Sequence, residues 1–235
     1  MQKALPIVFI PGASSDEATW EAQRAYFSKK ADVTVVNLTQ YDDIEEMADY
    51  VLERAPSEFA VCGTSMGGYV ALAVLKKAKG RVKKAALCNT AARADTPERR
   101  KERAAEIALG EEAYIKSRHE EGHYDALISK KSAKNAALIA ALRETSLRVG
   151  YGCFSRHQTA WAGRDESLSF LSQIDMPVVV IGGAEDALIP PALQQEIHEN
   201  IKGSKLAILQ DAGHIAQMET AEAMTEELDR FFFAA

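Results

Sequence analysis

Short apolar runs recur along the chain, and longer stretches with helical spacing separate them. The runs lack a strict alternation of polar and apolar positions, a pattern typical of strands that are covered on both faces. They lie at residues 5–10, 33–38, 59–63, 83–89, 177–183 and 205–210. The helical stretches lie at roughly 18–30, 43–54, 66–79, 191–201 and 218–232. Strands that alternate with helices in this way predict a mostly parallel, doubly wound α/β sheet.

Residues 91–167 interrupt this alternation. They are rich in Ala, Glu, Lys and Arg and contain no convincing strand. Within them, residues 135–150 have helical spacing and end at Gly150, a residue suited to terminate a helix. The stretch follows the carboxyl end of a strand, where open α/β sheets bind ligands. We therefore expect a core made of residues 1–90 and 168–235, with a helical cap or lid at 91–167 over the crevice.

The segment "VCGTSMGGYVALAVLKKAKG", residues 61–80, carries the strongest chemical signal. An apolar strand runs into a G-x-S-x-G motif centred on Ser65, and a helix follows, which is the context of a serine nucleophile. Gly63 and Gly67 allow strand and helix to approach closely. The turn places the Ser65 hydroxyl at the positive end of the helix. A nucleophile is therefore favoured over a Gly/Ser turn without a chemical role.

A serine hydroxyl needs a base, and the base needs an acid to orient it. His214 lies between the last strand and the last helix, at the same sheet edge as Ser65, and is the predicted base. Asp186, after the fifth strand, is the predicted acid, with Glu185 as the alternative. Asp211 is too close to His214 in sequence for this role and is expected in a turn. The remaining histidines lie in the insertion or within a helix: His119, His123, His157 and His198.

Acyl transfer also needs two backbone donors for the oxyanion. One predicted donor is the N–H of Met66, directly after the nucleophile. The other is expected in the loop "FIPGASSD" after the first strand, where Gly12 allows a tight turn. Ala13 is the first candidate in that loop and Ser14 is the second.

With these motifs the chain resembles the α/β-hydrolase superfamily, specifically its compact bacterial ester-hydrolase-like members with a helical cap. The matching pieces are "FIPGASSDEATW", "CGTSMGGYVALAVL", "IDMPVVVIGGAEDALIPP" and "LQDAGHIAQME". The resemblance implies Ser65 as nucleophile, Asp186 as acid and His214 as base. Many members have His-Gly before the oxyanion residue, whereas this chain has Pro11-Gly12. The sequence also begins at the strand that leads into the oxyanion loop. The first two strands usual in the family are therefore expected to be missing, and about six strands are expected.

The resemblance implies a serine hydrolase that cleaves a small carboxylic ester, thioester or lactone through an acyl-enzyme, with no metal or organic cofactor. Ser65 stands where dehalogenases and epoxide hydrolases of the superfamily have an aspartate, which favours acyl transfer over alkyl displacement. Two alternatives stay open. One is a C–C bond hydrolase or enol-lactonase on the same fold, and the other is a ligand-binding sensor without turnover.

Residues 119–123 read "HEEGH" and fit the H-E-x-x-H pattern of zinc peptidases. Gly122 costs about 1 kcal/mol in a helix, and no third-ligand pattern follows His123. We therefore expect an exposed, charged helix or helix end and no metal site. The basic run "RRKER" at 99–103 is likewise expected on a solvated helix face.

Apolar and aromatic residues near these motifs are candidates for the substrate pocket, although each is also a normal core residue. They are Tyr69, Phe154, Trp161, Ile189 and Ile215. Arg156, Gln158 and Arg164 are polar candidates for binding a substrate carboxylate. An ion pair of Arg164 with Asp165 or Glu166 is the favoured interpretation of that segment.

Composition limits the partners. A net charge of -6 and a pI near 5.5 disfavour nucleic-acid binding, and no apolar stretch is long enough to span a bilayer.

Three widely spaced cysteines, Cys62, Cys88 and Cys153, predict free thiols rather than disulfides. Pro6 and Pro11 interrupt the first apolar run, which disfavours a signal peptide. We expect a cytoplasmic protein with a small ester-like substrate, and the sequence leaves a homo-oligomer open.

Overall fold

The computed structural model describes residues 4–78 and 80–233, so residue 79, at the end of a predicted helix, and the chain ends lie outside it. Six strands form one parallel sheet in the order β2-β1-β3-β4-β5-β6. They are β1 (Ile7–Ile10), β2 (Val33–Val35), β3 (Phe59–Thr64), β4 (Val82–Cys88), β5 (Val178–Gly183) and β6 (Lys205–Leu209). The predicted doubly wound α/β sheet of about six strands is confirmed.

Helices cover both faces of this sheet, as the strand sequences predict. In β1, Val8 and Ile10 pack into one hydrophobic cluster, whereas Ile7 and Phe9 pack into another on the opposite face. Successive strand residues point to opposite faces, so a strand without polar positions must be covered on both. The first cluster is covered by α2 (Ile44–Arg54), α3 (Met66–Lys77) and α8 (Pro191–Asn200), and the second by α1 (Glu21–Phe27) and α10 (Ala221–Phe233).

The insertion between β4 and β5 is helical. It contains α4 (Pro97–Ala108), α5 (Gly110–Arg118) and α6 (Ala136–Gly163), and the short α7 (Leu168–Leu171) leads back to the sheet. The prediction that a helix ends at Gly150 is only partly right. Gly150 has φ 75° and interrupts the helical backbone, but the chain resumes a helix at once and continues to Gly163. The glycine therefore makes a kink.

Three contacts attach the insertion to loops at the carboxyl edge of the sheet. Arg148 Nε lies 2.8 Å from Asp16 Oδ2, beyond β1. Arg156 donates to the carbonyl of Thr39, beyond β2, at 2.8 Å. The backbone N–H of His214, beyond β6, donates to Leu127 O at 2.9 Å. The insertion therefore lies over the edge at which a ligand would bind.

A buried ion cluster inside the insertion corrects two expectations. Arg103, within the "RRKER" run, is buried rather than solvated, and its guanidinium binds Asp95. Arg164 pairs with the same carboxylate at 2.8 Å, not with Asp165 or Glu166. Burial raises the pKa of Asp95, but the Arg103 hydrogen bond and the charges of both arginines outweigh it and hold this pKa below its ordinary value. One buried carboxylate is thus shared by two guanidinium groups.

Candidate active site

Ser65 sits on a strained turn between β3 and α3. Its backbone has φ 53° and ψ −118°, a conformation that side-chain-bearing residues seldom adopt. A Cβ on Gly63 would lie 2.1 Å from Gly67 O, and one on Gly67 would lie 2.2 Å from Ile10 O. Glycine is therefore required at both positions of the motif, because strand, turn and helix approach too closely for a side chain.

His214 lies against the Ser65 hydroxyl, on the loop before α9 (Ala216–Glu219). Its Nε2 is 2.8 Å from Ser65 Oγ, and its Nδ1 is 2.9 Å from Asp186 Oδ2. An ionised carboxylate only accepts hydrogen bonds, so Nδ1 carries the proton that faces Asp186. Nε2 is then the acceptor for the serine hydroxyl. The structure brings together the three residues predicted as nucleophile, base and acid.

Four donors fix the Asp186 carboxylate. Oδ1 accepts from the backbone N–H of Leu188 at 3.0 Å and of Ile189 at 2.8 Å. Oδ2 accepts from Asn89 Nδ2 at 2.9 Å as well as from His214 Nδ1. The side chain is held in one orientation, facing the imidazole.

The alternative acids point elsewhere. Glu185 accepts from the backbone N–H of Lys130 at 3.0 Å and so faces the insertion. Asp211 has φ 56° in a turn and forms an exposed ion pair with Lys131 at 2.8 Å. Of these carboxylates, Asp186 is the one that contacts His214.

Two supporting residues escaped the sequence analysis. Asn89, at the end of β4, binds both Asp186 and the carbonyl of Gly213, the latter at 3.0 Å. Glu219 accepts from the backbone N–H of Gly213 at 2.8 Å and of Ser129 at 2.7 Å, and so ties the His214 loop to the insertion. A polar residue directly after the apolar run of β4 was a usable signal for Asn89, whereas Glu219 has no local signal.

The loop after β1 lies against the nucleophile. A Cβ on Gly12 would be 3.4 Å from Ser65 Cβ. Ser14 has φ 52°, and its backbone N–H donates to His157 Nδ1 at 2.9 Å. The Ser14 N–H is therefore engaged, whereas the Ala13 N–H has no hydrogen-bond partner among the described residues. The N–H of Met66 is the first of α3, one of the groups that a helix leaves without an internal acceptor.

The structure places His157, a histidine of the insertion that is not the predicted base, against the loop that follows β1. It is buried on α6, and its Nδ1 accepts from Ser14, so its Nε2 carries the proton and donates to Leu38 O at 3.1 Å. Burial lowers the pKa of His157. A neutral imidazole thus joins the insertion to the loops that follow β1 and β2.

A cavity of about 180 Å³ contains Ser65 and His214 on its wall. Of the predicted pocket residues, Phe154, Trp161 and Ile215 line it. Tyr69 and Ile189 do not, which corrects the prediction. They line a neighbouring cavity of about 260 Å³ beside the Asp95 cluster, and Trp161 lies on the wall of both. Tyr69 is held there because the Arg164 guanidinium lies 4.2 Å from its ring centroid.

The "HEEGH" segment does not have the geometry of a zinc motif. Helix α5 ends at Arg118, and His119 to Leu127 follow in bends and turns, with Gly122 at φ 75°. His123 Nε2 contacts the guanidinium of Arg118 instead. The two histidines therefore do not lie one turn apart on one helix.

The predicted carboxylate-binding residues are all engaged within the protein. Arg156 binds the Thr39 carbonyl, and Gln158 donates to Glu106 Oε2 at 2.9 Å. Arg164 is paired with Asp95. None of these three lies on the wall of the cavity that contains Ser65.

The family model for serine aminopeptidase, S33, matches residues 27–221. The chain belongs to this family. A pimeloyl-[acyl-carrier protein] methyl ester esterase of Neisseria meningitidis is 27% identical over 184 residues, which cover 77% of this chain and 72% of that protein.

Solved structures agree with this assignment. The enol-lactonase from Burkholderia xenovorans superposes with a TM-score of 0.86 at 25% identity, covering 97% of this chain and 91% of the other. A malate-bound thermophilic esterase from Thermogutta terrifontis gives 0.81 at 25% identity, covering 97% and 89%. The predicted α/β-hydrolase fold and serine hydrolase class are confirmed. Hydrolysis of carboxylic esters, the predicted activity, is the activity for which these esterases are named.

Proposed function

We propose that the protein hydrolyses small carboxylic esters, with Ser65 as nucleophile, His214 as base and Asp186 as acid. The observation that carries this proposal is the contact of His214 Nε2 with Ser65 Oγ, at 2.8 Å, on the wall of a cavity. A concave, mostly apolar site with a few converging polar groups is typical of a small-molecule enzyme.

Acylation follows from the tautomer of His214. Ser65 Oγ attacks the ester carbonyl carbon while its proton passes to His214 Nε2. Asp186 stabilises the imidazolium that forms. The tetrahedral intermediate then collapses, and the departing alkoxide takes the proton from Nε2 and leaves as an alcohol. The product of this half-reaction is an acyl ester of Ser65.

Deacylation repeats the sequence with water. A water molecule gives a proton to His214 Nε2 and attacks the acyl carbon. The second tetrahedral intermediate collapses, Ser65 Oγ recovers the proton, and the carboxylic acid is released. The N–H groups of Ala13 and Met66 stabilise the oxyanion in both half-reactions. Ala13 is assigned this role in preference to Ser14 because the Ser14 N–H already donates to His157.

In this proposal, residues 91–167 act as the cap of the site. Much of the cavity wall comes from this insertion, including Arg118, Tyr124, Leu142, Phe154 and Trp161. A volume of about 180 Å³ is small for a ligand site. The cap therefore selects short acyl and alcohol groups.

The family description raises a peptidase alternative, which the cavity disfavours. An aminopeptidase must bind the ammonium group of its substrate, and a carboxylate is the usual partner for such a cation. Among residues 4–78 and 80–233, those that line the cavity include no Asp or Glu, and the charged one is Arg118. A cation at this position repels an ammonium group, so an ester is favoured over an aminoacyl substrate.

A lactone is the second candidate substrate, because the enol-lactonase has the higher TM-score of the two structures, 0.86. Opening a lactone uses the same acylation step, with the alcohol retained on the acyl chain. The sensor hypothesis is disfavoured by a triad whose three members are in hydrogen-bond contact.

We also propose a cytoplasmic location, because free cysteine thiols are typical of a reducing compartment. Cys62, Cys88 and Cys153 are buried free thiols. Burial raises the pKa of Cys62 well above its ordinary value and that of Cys153 to about 12, so neither is a reactive thiolate. Within the described residues, no helix has the length and apolar character needed to cross a bilayer.

The test of the proposed function is a comparison of substrates on wild type and Ser65→Ala. We expect wild type to hydrolyse short-chain methyl and p-nitrophenyl esters and to leave aminoacyl p-nitroanilides intact, whereas Ser65→Ala hydrolyses neither class. Faster cleavage of the anilides than of the esters would contradict the ester assignment.

A further inference from the structure

Arg118 is a fixed cation on the wall of the cavity that contains Ser65 and His214. It is the last residue of α5, and its guanidinium lies 4.2 Å from the ring centroid of Tyr114 and 5.6 Å from that of Phe154. Aromatic faces attract and orient a guanidinium. The positive charge is therefore held at one side of an otherwise largely apolar cavity.

Two residues that line this cavity each carry a buried hydrogen-bond donor without a partner. Arg118 Nε and the Tyr124 hydroxyl are both buried and form no hydrogen bond within the described part of the chain. Both residues line the cavity. A buried donor without an acceptor destabilises a protein by about 1–3 kcal/mol. Two such donors, on two residues that line the same cavity, point to a ligand group that would accept hydrogen bonds there.

The protein does not neutralise Arg118. Its Nη1 contacts His123 Nε2, and it forms no ion pair with a carboxylate of residues 4–78 or 80–233. Burial lowers the pKa of His123, and the charge of Arg118 lowers it further, so this imidazole is neutral and accepts the contact. No carboxylate of the described residues therefore compensates the guanidinium of Arg118, and the ligand group that complements it is an anion.

We propose that Arg118 and Tyr124 bind a free carboxylate on the ester substrate, remote from the scissile bond. This inference rests on the proposed ester hydrolase function and names its substrate class, the small monoesters of dicarboxylic acids. A guanidinium offers a carboxylate parallel N–H donors, and the phenol hydroxyl adds another. The single positive charge of Arg118 matches one carboxylate, whereas a phosphate monoester carries about two negative charges at neutral pH.

The test compares two esters of the same shape, monomethyl glutarate and the methyl ester of glutaramic acid, which replaces the carboxylate with a neutral amide. We expect wild type to show a kcat/KM at least tenfold higher for the acid than for the amide. Arg118→Gln should lower this ratio by about 10- to 100-fold, as expected for a hydrogen bond to a charged group. Tyr124→Phe, which keeps the ring and removes one donor, should lower it severalfold.

Controls separate the subsite from the reaction. Arg118→Lys retains the charge and should keep part of the preference, which distinguishes charge recognition from damage to the stacked wall. A wild-type ratio of kcat/KM, acid over amide, near one would overturn the carboxylate subsite and leave ester hydrolysis intact. The same conclusion would follow if Arg118→Gln and Tyr124→Phe both kept the wild-type ratio. Failure of wild type to cleave either ester, with Ser65→Ala indistinguishable from it, would instead overturn the proposed function.

Discussion

The backbone N–H of Ser14 donates to Nδ1 of His157 at 2.9 Å, across 143 positions of sequence. The contact joins the loop that carries the proposed oxyanion donor to a helix of the insertion. Because the Ser14 N–H is turned to His157, the preceding N–H, that of Ala13, is the one that the proposed mechanism assigns to the oxyanion. In that mechanism we propose that His157 is a positioning residue.

Replacement of His157 by Phe keeps a buried aromatic ring and removes the acceptor for Ser14. We expect kcat on a short ester to fall about tenfold or more, since loss of one oxyanion donor costs about 10²–10³ in kcat, while KM changes less. Steady-state kinetics on wild type and variant, with circular dichroism to establish folding, measures this. An unchanged kcat in a folded variant would remove His157 from this role.

His157 also gives the stability a pH dependence of known sign. Its pKa is lowered in the folded protein by burial, with the charge of Arg156 adding to the effect and the Leu38 hydrogen bond opposing it. The neutral form is favoured by folding, so its contribution is present above the ordinary histidine pKa and is lost as pH falls through the folded value. Urea unfolding should show wild type losing stability on acidification more steeply than His157→Phe. If the stability of both proteins fell equally with pH, His157 would not be the source of this pH dependence.

Asp186→Asn should lower kcat by about 10⁴-fold, because an amide at this position favours the wrong tautomer of His214. Glu185→Gln is the matched control, since Glu185 binds the Lys130 backbone rather than the imidazole, and we expect it to change kcat less than threefold. Both are measured on the same short ester. Full activity in Asp186→Asn together with a large loss in Glu185→Gln would exchange the two roles.

Gly63→Ala should destabilise the protein by about 3 kcal/mol or more, the upper end of the cost of overpacking. The new methyl group would overlap the backbone of Gly67, a rigid neighbour. Gly163→Ala is the control, because a Cβ at Gly163 meets nothing within 4 Å. The free energy of unfolding in urea decides the case, and equal stability of the two variants would show that the turn relaxes.

Asp95→Asn should lower the free energy of unfolding by about 3–5 kcal/mol, because Arg103 and Arg164 would be left as buried, unpaired cations. The pKa of Asp95 is lowered in the folded state, so this stabilisation is present at neutral pH and is lost as pH falls below the ordinary aspartate value. Asp165→Asn, at an exposed neighbour of Arg164, should cost less than 0.5 kcal/mol, roughly the size of a surface effect. Equal free energies of unfolding for the two variants would show that the ion pairs of Asp95 with Arg103 and Arg164 do not stabilise the fold.

Sequence reasoning predicted the sheet and the three central residues because their signals are local. Each strand is a short apolar run, and the glycines around Ser65 follow from the close approach within one turn. Asp186 and His214 follow strands that end at the same edge of a parallel sheet. The topology of the sheet alone therefore predicts that these residues lie close together, and no information on side-chain packing is needed.

The residues that the sequence analysis missed or misplaced depend on how the insertion packs. Arg103 belongs to a run of charges, and only the folded insertion shows that it is buried beside Asp95. Tyr69 is on the helix that follows the nucleophile, but Arg164 holds it outside the cavity. Arg118 gave no signal in sequence, because its environment is made by aromatic residues of two helices.

The measurement that tests the central claim most directly is intact-mass analysis after treatment with a fluorophosphonate, with wild type beside Ser65→Ala. If His214 activates Ser65 as the 2.8 Å contact indicates, Oγ displaces fluoride and wild type gains the mass of one phosphonyl group. The Ser65→Ala protein should gain none. No adduct on folded wild-type protein, or an equal adduct on both proteins, would contradict the account.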